Sequence, residues 1–204
     1  MKLIIFGATG TVGRHVTREA IEAGHEVTTF SRSGAQVAEA AKSLRGDVLN
    51  LGDVRYAMRG HDAVICVLGA GRKGGVRARG TANIIAAMQQ SGVQRLICQS
   101  TLGAGDSRAN LNFLWKYIMF GMLLRPAYAD HQEQEAHVRN SGLDWTIVRP
   151  GAFTDGPRTG DYRVGFPSTA RDLALKISRA DIAHFMMTIL TDRACFGKTP
   201  GLSY

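Results

Sequence analysis

The chain has 204 residues, 45% hydrophobic and 21% charged, with 24 glycines against 5 prolines, a globular composition that excludes a disordered, collagen-like or repeat protein. Its 25 Lys and Arg against 17 Asp and Glu leave a formal charge of +8, which favours an anionic partner without saying which. The length fits one α/β domain rather than two independent catalytic ones.

The apolar run Leu3–Phe6 is too short for a signal-peptide core and leads straight into a glycine motif, so it is expected to be a first strand. Further continuous Val/Ile/Leu runs predict strands at Glu26–Ser31, Arg45–Leu49, Ala63–Val67, Arg95–Gln99 and Asp144–Arg149. Helices are expected between them at Thr11–Ala23, Ala35–Leu44, Val54–Met58, Val76–Gln90 and Asp130–Asn140, with Arg179–Thr191 as a last one. Gly24, Gly92 and Gly142 stand where left-handed caps are wanted. Strand and helix alternate, which predicts right-handed crossovers and an α/β, Rossmann-like doubly wound parallel sheet over residues 1–204. Ligands of such sheets lie beyond the carboxyl ends of the strands, and substrate-side loops are expected around 100–130 and 150–178. The stretch Phe113–Leu124 is dense in aromatic and methionine side chains; it reads as core or helix packing, as a lid, or as a patch for a partner or membrane surface. It contains Lys116 and is shorter than the roughly 20 residues a bilayer needs, so no transmembrane segment is expected.

Cys66, Cys98 and Cys195 show no paired spacing, which supports neither a disulfide framework nor a zinc site and fits a reducing, cytoplasmic setting. No histidine has metal spacing. The cations are scattered apart from Arg72-Lys73 with nearby Arg77 and Arg79, and no nucleic-acid motif accompanies them.

Directly after the first strand comes Gly7-Ala8-Thr9-Gly10-Thr11-Val12-Gly13, which opens a helix. Gly7 permits a tight turn, Gly10 lets the backbone approach a pyrophosphate, and Gly13 lets helix and strand lie close, while the helix N-terminus offers its amides to phosphate. No acid lies between Val27 and Ala38, and Arg32 stands where NAD sites hold a ribose-binding carboxylate. That favours NADP(H), with Arg14 and Ser33 as helpers; the plain alternative is a solvated surface arginine. Asp47-Val48 at the adenine edge and Leu68-Gly69 under the ribose complete the expected cofactor set, although both pairs also read as simple strand-end turns.

With those residues in place, the chain resembles the atypical short-chain dehydrogenase/reductases, and among them the biliverdin-IXβ reductase/flavin reductase group and its bacterial NAD(P)H-binding relatives. The segments that carry the likeness are Ile5–Gly13, Gly46–Leu49, His61–Gly69, Gly80–Met88, Asp130-His131, Ser141–Leu143, Thr154–Gly160 and Ile177–Asp181, spread over nearly the whole chain. The resemblance implies a monomeric NADPH-dependent reductase of flavins or linear tetrapyrroles, with these as substrates and nicotinamide as the hydride source. It implies Ser100 as the catalytic, substrate-side serine, with Cys98, Gln99, Pro150 and Gly151 around the nicotinamide and Thr101, His131 and Arg158 on the substrate side. By its own residues, Asp130 also reads as a helix N-cap and His131 as a first-turn surface residue. Two departures stand out. No tyrosine is followed four positions later by lysine, and Gly151-Ala152 replaces the family's active-site histidine. Flavin reduction tolerates the first, because the acceptor takes hydride readily and can take its proton from water, whereas the second bears on any mechanism that needs the histidine. The alternative is a redox sensor or assembly factor that binds NADP(H) and transfers nothing.

Overall fold

The computed structural model describes residues 1–204. Strands β1 (Lys2–Phe6), β2 (Glu26–Ser31), β3 (Lys42–Arg45), β4 (Ala63–Cys66), β5 (Arg95–Gln99) and β6 (Asp144–Pro150) are parallel neighbours in the order β3-β2-β1-β4-β5-β6. Beyond β6 the sheet continues with β10 (Gly201–Ser203), parallel to β6, and ends in β8 (Arg163–Val164), antiparallel to β10. A separate parallel pair joins β7 (Ala152–Thr154) to β9 (Lys176–Ser178). The expected doubly wound sheet is present, and the reversal of strand order between β1 and β4 places its ligand crevice above those two strands.

The two-residue period of β1 feeds both faces of the sheet. Leu3 and Ile5 pack with α1 (Thr11–Glu22) and α5 (Arg179–Thr188), through Val16 and Ala20 of the first and Ile182 and Met186 of the second. Ile4 and Phe6 face α2 (Leu51–Met58), α3 (Arg77–Ser91) and α4 (Arg125–Arg139), through Met58, Met88 and Val138. A third, smaller cluster of Leu102, Leu111, Phe120, Tyr128, Leu173 and Leu175 lies at the carboxyl edge of the sheet.

Three local expectations are corrected. Residues 35–41 form no helix: Gly34 takes a left-handed φ of 64°, and the Gln36 amide donates to the carbonyls of Ala38 and Ala41, both at 2.6 Å, which holds an irregular loop. The third strand consequently spans Lys42–Arg45, and of the expected Arg45–Leu49 only Arg45 belongs to it. Asp130 is not an N-cap of its own helix, because α4 starts at Arg125 with a proline in its first turn. Its buried carboxylate instead accepts from the amides of Arg77 and Ala78, at 3.2 and 3.0 Å, and so caps α3.

The stretch Leu114–Leu123 is a wide, i→i+5 helix running into α4. Phe120 is buried, whereas Phe113 (71% exposed) and Met122 (73%) face outward with Tyr117 and Leu123. No helix is long and apolar enough to cross a membrane.

Candidate functional site

A cavity of about 340 Å³ lies at the carboxyl ends of β1, β4, β5 and β6. One end is built by Gly10, Thr11 and Val12 with Val67, Leu68 and Gly69; the other by Leu111, Trp115, Phe120, Leu124 and Tyr128, closed by Phe153 and Leu175. Gln99, Ser100, Thr101 and Gly151 lie along its floor, and Arg77 and His131 along one wall.

The glycine end is a tight turn that leads into the α1 N-terminus. At Gly7 (φ 90°) and Gly13 an added Cβ would collide with backbone, of Val67 in the first case and of Gly7 and Ala8 in the second. Helix α1 has no side-chain cap and no acidic residue in its first turn, unlike α2 and α5, which Asn50 and Ser178 cap. Its terminal amides are therefore available to an anion, and the helix dipole favours one there. Arg32 is exposed just past the end of β2, and the Arg14 Nε donates to the Thr9 carbonyl at 3.3 Å. Gly80 lets α3 sit close behind this end, since a Cβ there would meet Leu68 and Val48 at 2.9 Å.

The other expected cofactor residues divide into those at the cavity and those behind it. Asp47 shapes the turn before α2, accepting from the Leu49 amide at 2.9 Å, and the Val48 carbonyl accepts from Asn83 at 2.9 Å; neither lines the cavity. Cys98 is turned into the α3/α4 core against Cys66, and its thiol is raised well above the usual range by that neighbour and by burial. Pro150 contributes its carbonyl, which accepts from the Leu102 amide at 2.8 Å and so fixes the floor strand to the segment after Ser100. Arg158 lies away from the cavity, paired with Glu19 of α1 at 3.1 Å.

The floor carries unspent hydrogen-bonding capacity. Ser100 Oγ and Gln99 Oε1 are buried with no partner in the protein, and both side chains line the cavity. Buried polar atoms are ordinarily paired, so these two orphans facing one cavity are open to hydrogen bonds from whatever fills it, water or ligand. His131 corrects the expectation of a first-turn surface residue: it lines the wall in the second turn of α4, with Nδ1 also unpartnered. Burial, and then the charge of Arg77, push its pKa down to about 4, so the imidazole is neutral at physiological pH.

At the position of the family histidine the reason for the departure is visible. A Cβ on Gly151 would meet the backbone of Leu175 at 2.7 Å, and Ala152 presents only a methyl group to the cavity. Leu175 itself holds a left-handed φ of 54°, fixed in part by accepting from the Ala152 amide at 2.8 Å. Arg77, Tyr128 and His131 are then the ionisable side chains of the lining. Tyr128 is committed, donating to the Gly103 carbonyl at 2.9 Å.

The Thr154–Gly160 and Ile177–Asp181 segments prove to be a clasp. Asp181 accepts from the Thr159 and Gly160 amides and from the hydroxyls of Thr159, Ser178 and Tyr204, tying the loop to α5 and to the last residue. The sequence marks Arg77 only as part of a short basic cluster without a nucleic-acid motif, and it leaves open which residues of the aromatic stretch point inward.

Sheet, glycine cradle and free helix terminus together define a Rossmann-type dinucleotide-binding protein. The sequence profile of the NAD(P)H-binding family matches residues 7–193, and the chain belongs to that family. Similar proteins include the uncharacterised sugar epimerase YhfK of Bacillus subtilis, 28% identical over 98% of this chain and 95% of its own. Another is the protein YwnB of the same organism, 28% identical over 81% of this chain and 79% of its own. Among solved structures, a short-chain dehydrogenase/reductase from Veillonella parvula in complex with NADP superposes with a TM-score of 0.84, at 19% identity over 100% of this chain and 94% of that one. ChuY, an anaerobilin reductase from Escherichia coli O157:H7, superposes at 0.82, with 22% identity over 99% and 96% of the two chains.

Proposed function

We propose that the protein is an NADPH-dependent reductase that delivers hydride to a planar conjugated acceptor, a flavin or a linear tetrapyrrole. The observation that carries this reading is the two-ended cavity: a phosphate-shaped end and an apolar, aromatic end that meet over the unpartnered Ser100. NADP(H) fits the residues present. The Gly7–Gly13 loop and the α1 terminus would hold its pyrophosphate, Leu68 and Gly69 would lie under the ribose, and Arg32, with Arg14 nearby, would meet the 2′-phosphate. When bound, the cofactor supplies the hydride.

The chain's own contribution is position and exclusion of water. Ser100 Oγ and Gln99 Oε1 orient groups at the meeting point, and the wall of Trp115, Phe120 and Leu124 lets a flat ring system lie there. Neutral His131 is no strong acid at pH 7, so the proton that follows the hydride comes from water. The fold shared with an anaerobilin reductase supports the tetrapyrrole arm.

Purified protein is expected to oxidise NADPH much faster than NADH with FMN or biliverdin-IXβ as acceptor. Equal rates with both nucleotides, or none above buffer, would overturn the reading. Arg32→Ala removes one charge-assisted contact of about 1.5–3 kcal/mol, so KM for NADPH should rise at least tenfold and that for NADH hardly at all. A second reading, a sensor or assembly factor that binds NADP(H) without turnover, is favoured by the outward-facing Phe113, Tyr117 and Met122. Tight NADPH binding without turnover of either acceptor, together with a partner recovered only while those three side chains are intact, would decide for it.

A further inference from the structure

We infer that Arg77 is an anion-recognition residue of the acceptor end of the cavity, so that the acceptor bears a carboxylate or phosphate; this deepens the reductase reading and rests on it. Arg77 is the first residue of α3, with its side chain 11% exposed and lining the cavity. Its Nε and Nη1 are buried without a hydrogen-bond partner. The nearest carboxylate, Asp130, lies 3.6 Å from Nη1, beyond hydrogen-bonding distance, and its two oxygens already accept from the amides of Arg77 and Ala78. The guanidinium thus has a neighbouring charge but no acceptor for those two donors.

Leaving such donors buried and unmade is costly, and a planar fork of N–H groups is matched in shape by a carboxylate or phosphate. On the same wall His131 leaves Nδ1 without a partner. The two groups therefore present unmet hydrogen bonds to one ligand. That ligand is not the cofactor's pyrophosphate: the phosphate loop enters from α1 on one face of the sheet, whereas Arg77 enters from the α3/α4 layer on the other, held there by Asp130 of α4. The wall around it carries Leu124, Ala127 and Tyr128, the apolar surface on which a conjugated ring system would lie. An acceptor that is flat and apolar in its body and anionic at one edge satisfies both.

Matched pairs of acceptors test this: FMN against riboflavin for a phosphate, and biliverdin-IXβ against its dimethyl ester for carboxylates. Affinity is read in the presence of NADP+, by flavin or protein fluorescence. No turnover is needed, so a protein that binds acceptors but transfers no hydride still gives a result here and fails only the reductase reading. The wild-type protein should bind the anionic member of at least one pair tenfold or more tightly than the neutral member. Arg77→Gln should abolish that preference, Arg77→Lys should keep part of it, and the Kd for NADP+ should change less than twofold in both. Wild-type protein indifferent to charge in both pairs, or binding neither member of either, overturns the proposal without any variant. So does a loss in Arg77→Gln that is equal for charged and neutral acceptors, or one that falls on NADP+.

Discussion

At the level of single residues, His131 couples stability to pH in a direction set by its burial. Unfolded, an imidazole titrates near pH 6.5; folded, desolvation and then Arg77 lower this to about 4. Between those values the unfolded chain binds the proton and the native one does not, so stability rises with pH across the window and is lost as pH falls from about 6.5 towards 4. The shift corresponds to up to about 3 kcal/mol. His131→Asn keeps a polar group of similar reach without a titrating ring, so its urea midpoint should fall less than that of the wild-type protein between pH 7 and pH 4.5. Parallel losses in the two proteins would show that the ring is not buried as the structure has it. The same neutral state explains why the ring can border a charged guanidinium: an imidazolium beside Arg77 would add like-charge repulsion to its own desolvation.

Between elements, the joint that fixes the floor of the cavity is ionic. Arg149 of β6, 1% exposed, donates from Nε and Nη2 to the two carboxylate oxygens of Glu135 on α4, at 2.9 and 2.6 Å, and from Nη1 to Asp106 at 2.5 Å. Removing one member of such a buried pair strands the other charge, which typically costs about 3–5 kcal/mol, whereas replacing both by apolar groups can be nearly neutral. Arg149→Met alone should therefore lower stability by that amount, and Arg149→Met with Glu135→Leu should recover most of it; chemical denaturation of the two variants measures the difference. This joint was not legible in the sequence, because nothing local to Arg149 or Glu135 announces a partner 14 residues away across a strand and a helix. What was legible is local: the apolar run of β1, the glycines at its end and the rhythm through α1 and β2 each lie within a few residues of their cause. Elements failed where a tertiary partner or a side-chain bridge decided the outcome. Gln36 closes a loop over a stretch whose pattern suggested a helix, and Asp130 does cap a helix, but one 52 residues earlier. In the site, the glycine loop follows from its position after a strand and Ser100 only from the family resemblance, while Arg77 needed the third dimension to separate it from its exposed neighbours Arg72 and Lys73.

For the whole molecule, the excess of eight positive charges acts at a distance as well as through contacts. The reductase reading gives the nucleotide three phosphates if it is NADPH and two if it is NADH, and the extra 2′-phosphate would lie at the exposed rim by Arg32 rather than in the glycine cradle. Attractions at such a rim are screened over a Debye length of about 10 Å at 0.1 M salt and about 3 Å at 1 M, whereas amide contacts at the α1 terminus are partly shielded from solvent and suffer less. Raising ionic strength should therefore weaken NADPH more steeply than NADH, so that the preference between them narrows as salt is added. In Arg32→Ala the two nucleotides should instead respond alike, since the contact that distinguishes them is gone. Titration of each nucleotide by quenching of protein fluorescence, from 0.05 to 0.5 M NaCl, gives the slopes. If the wild-type slopes are equal, the surplus charge does not serve the 2′-phosphate; if they differ but Arg32→Ala leaves the difference intact, a cation other than Arg32 holds it, with Arg14 at the head of α1 the next to replace.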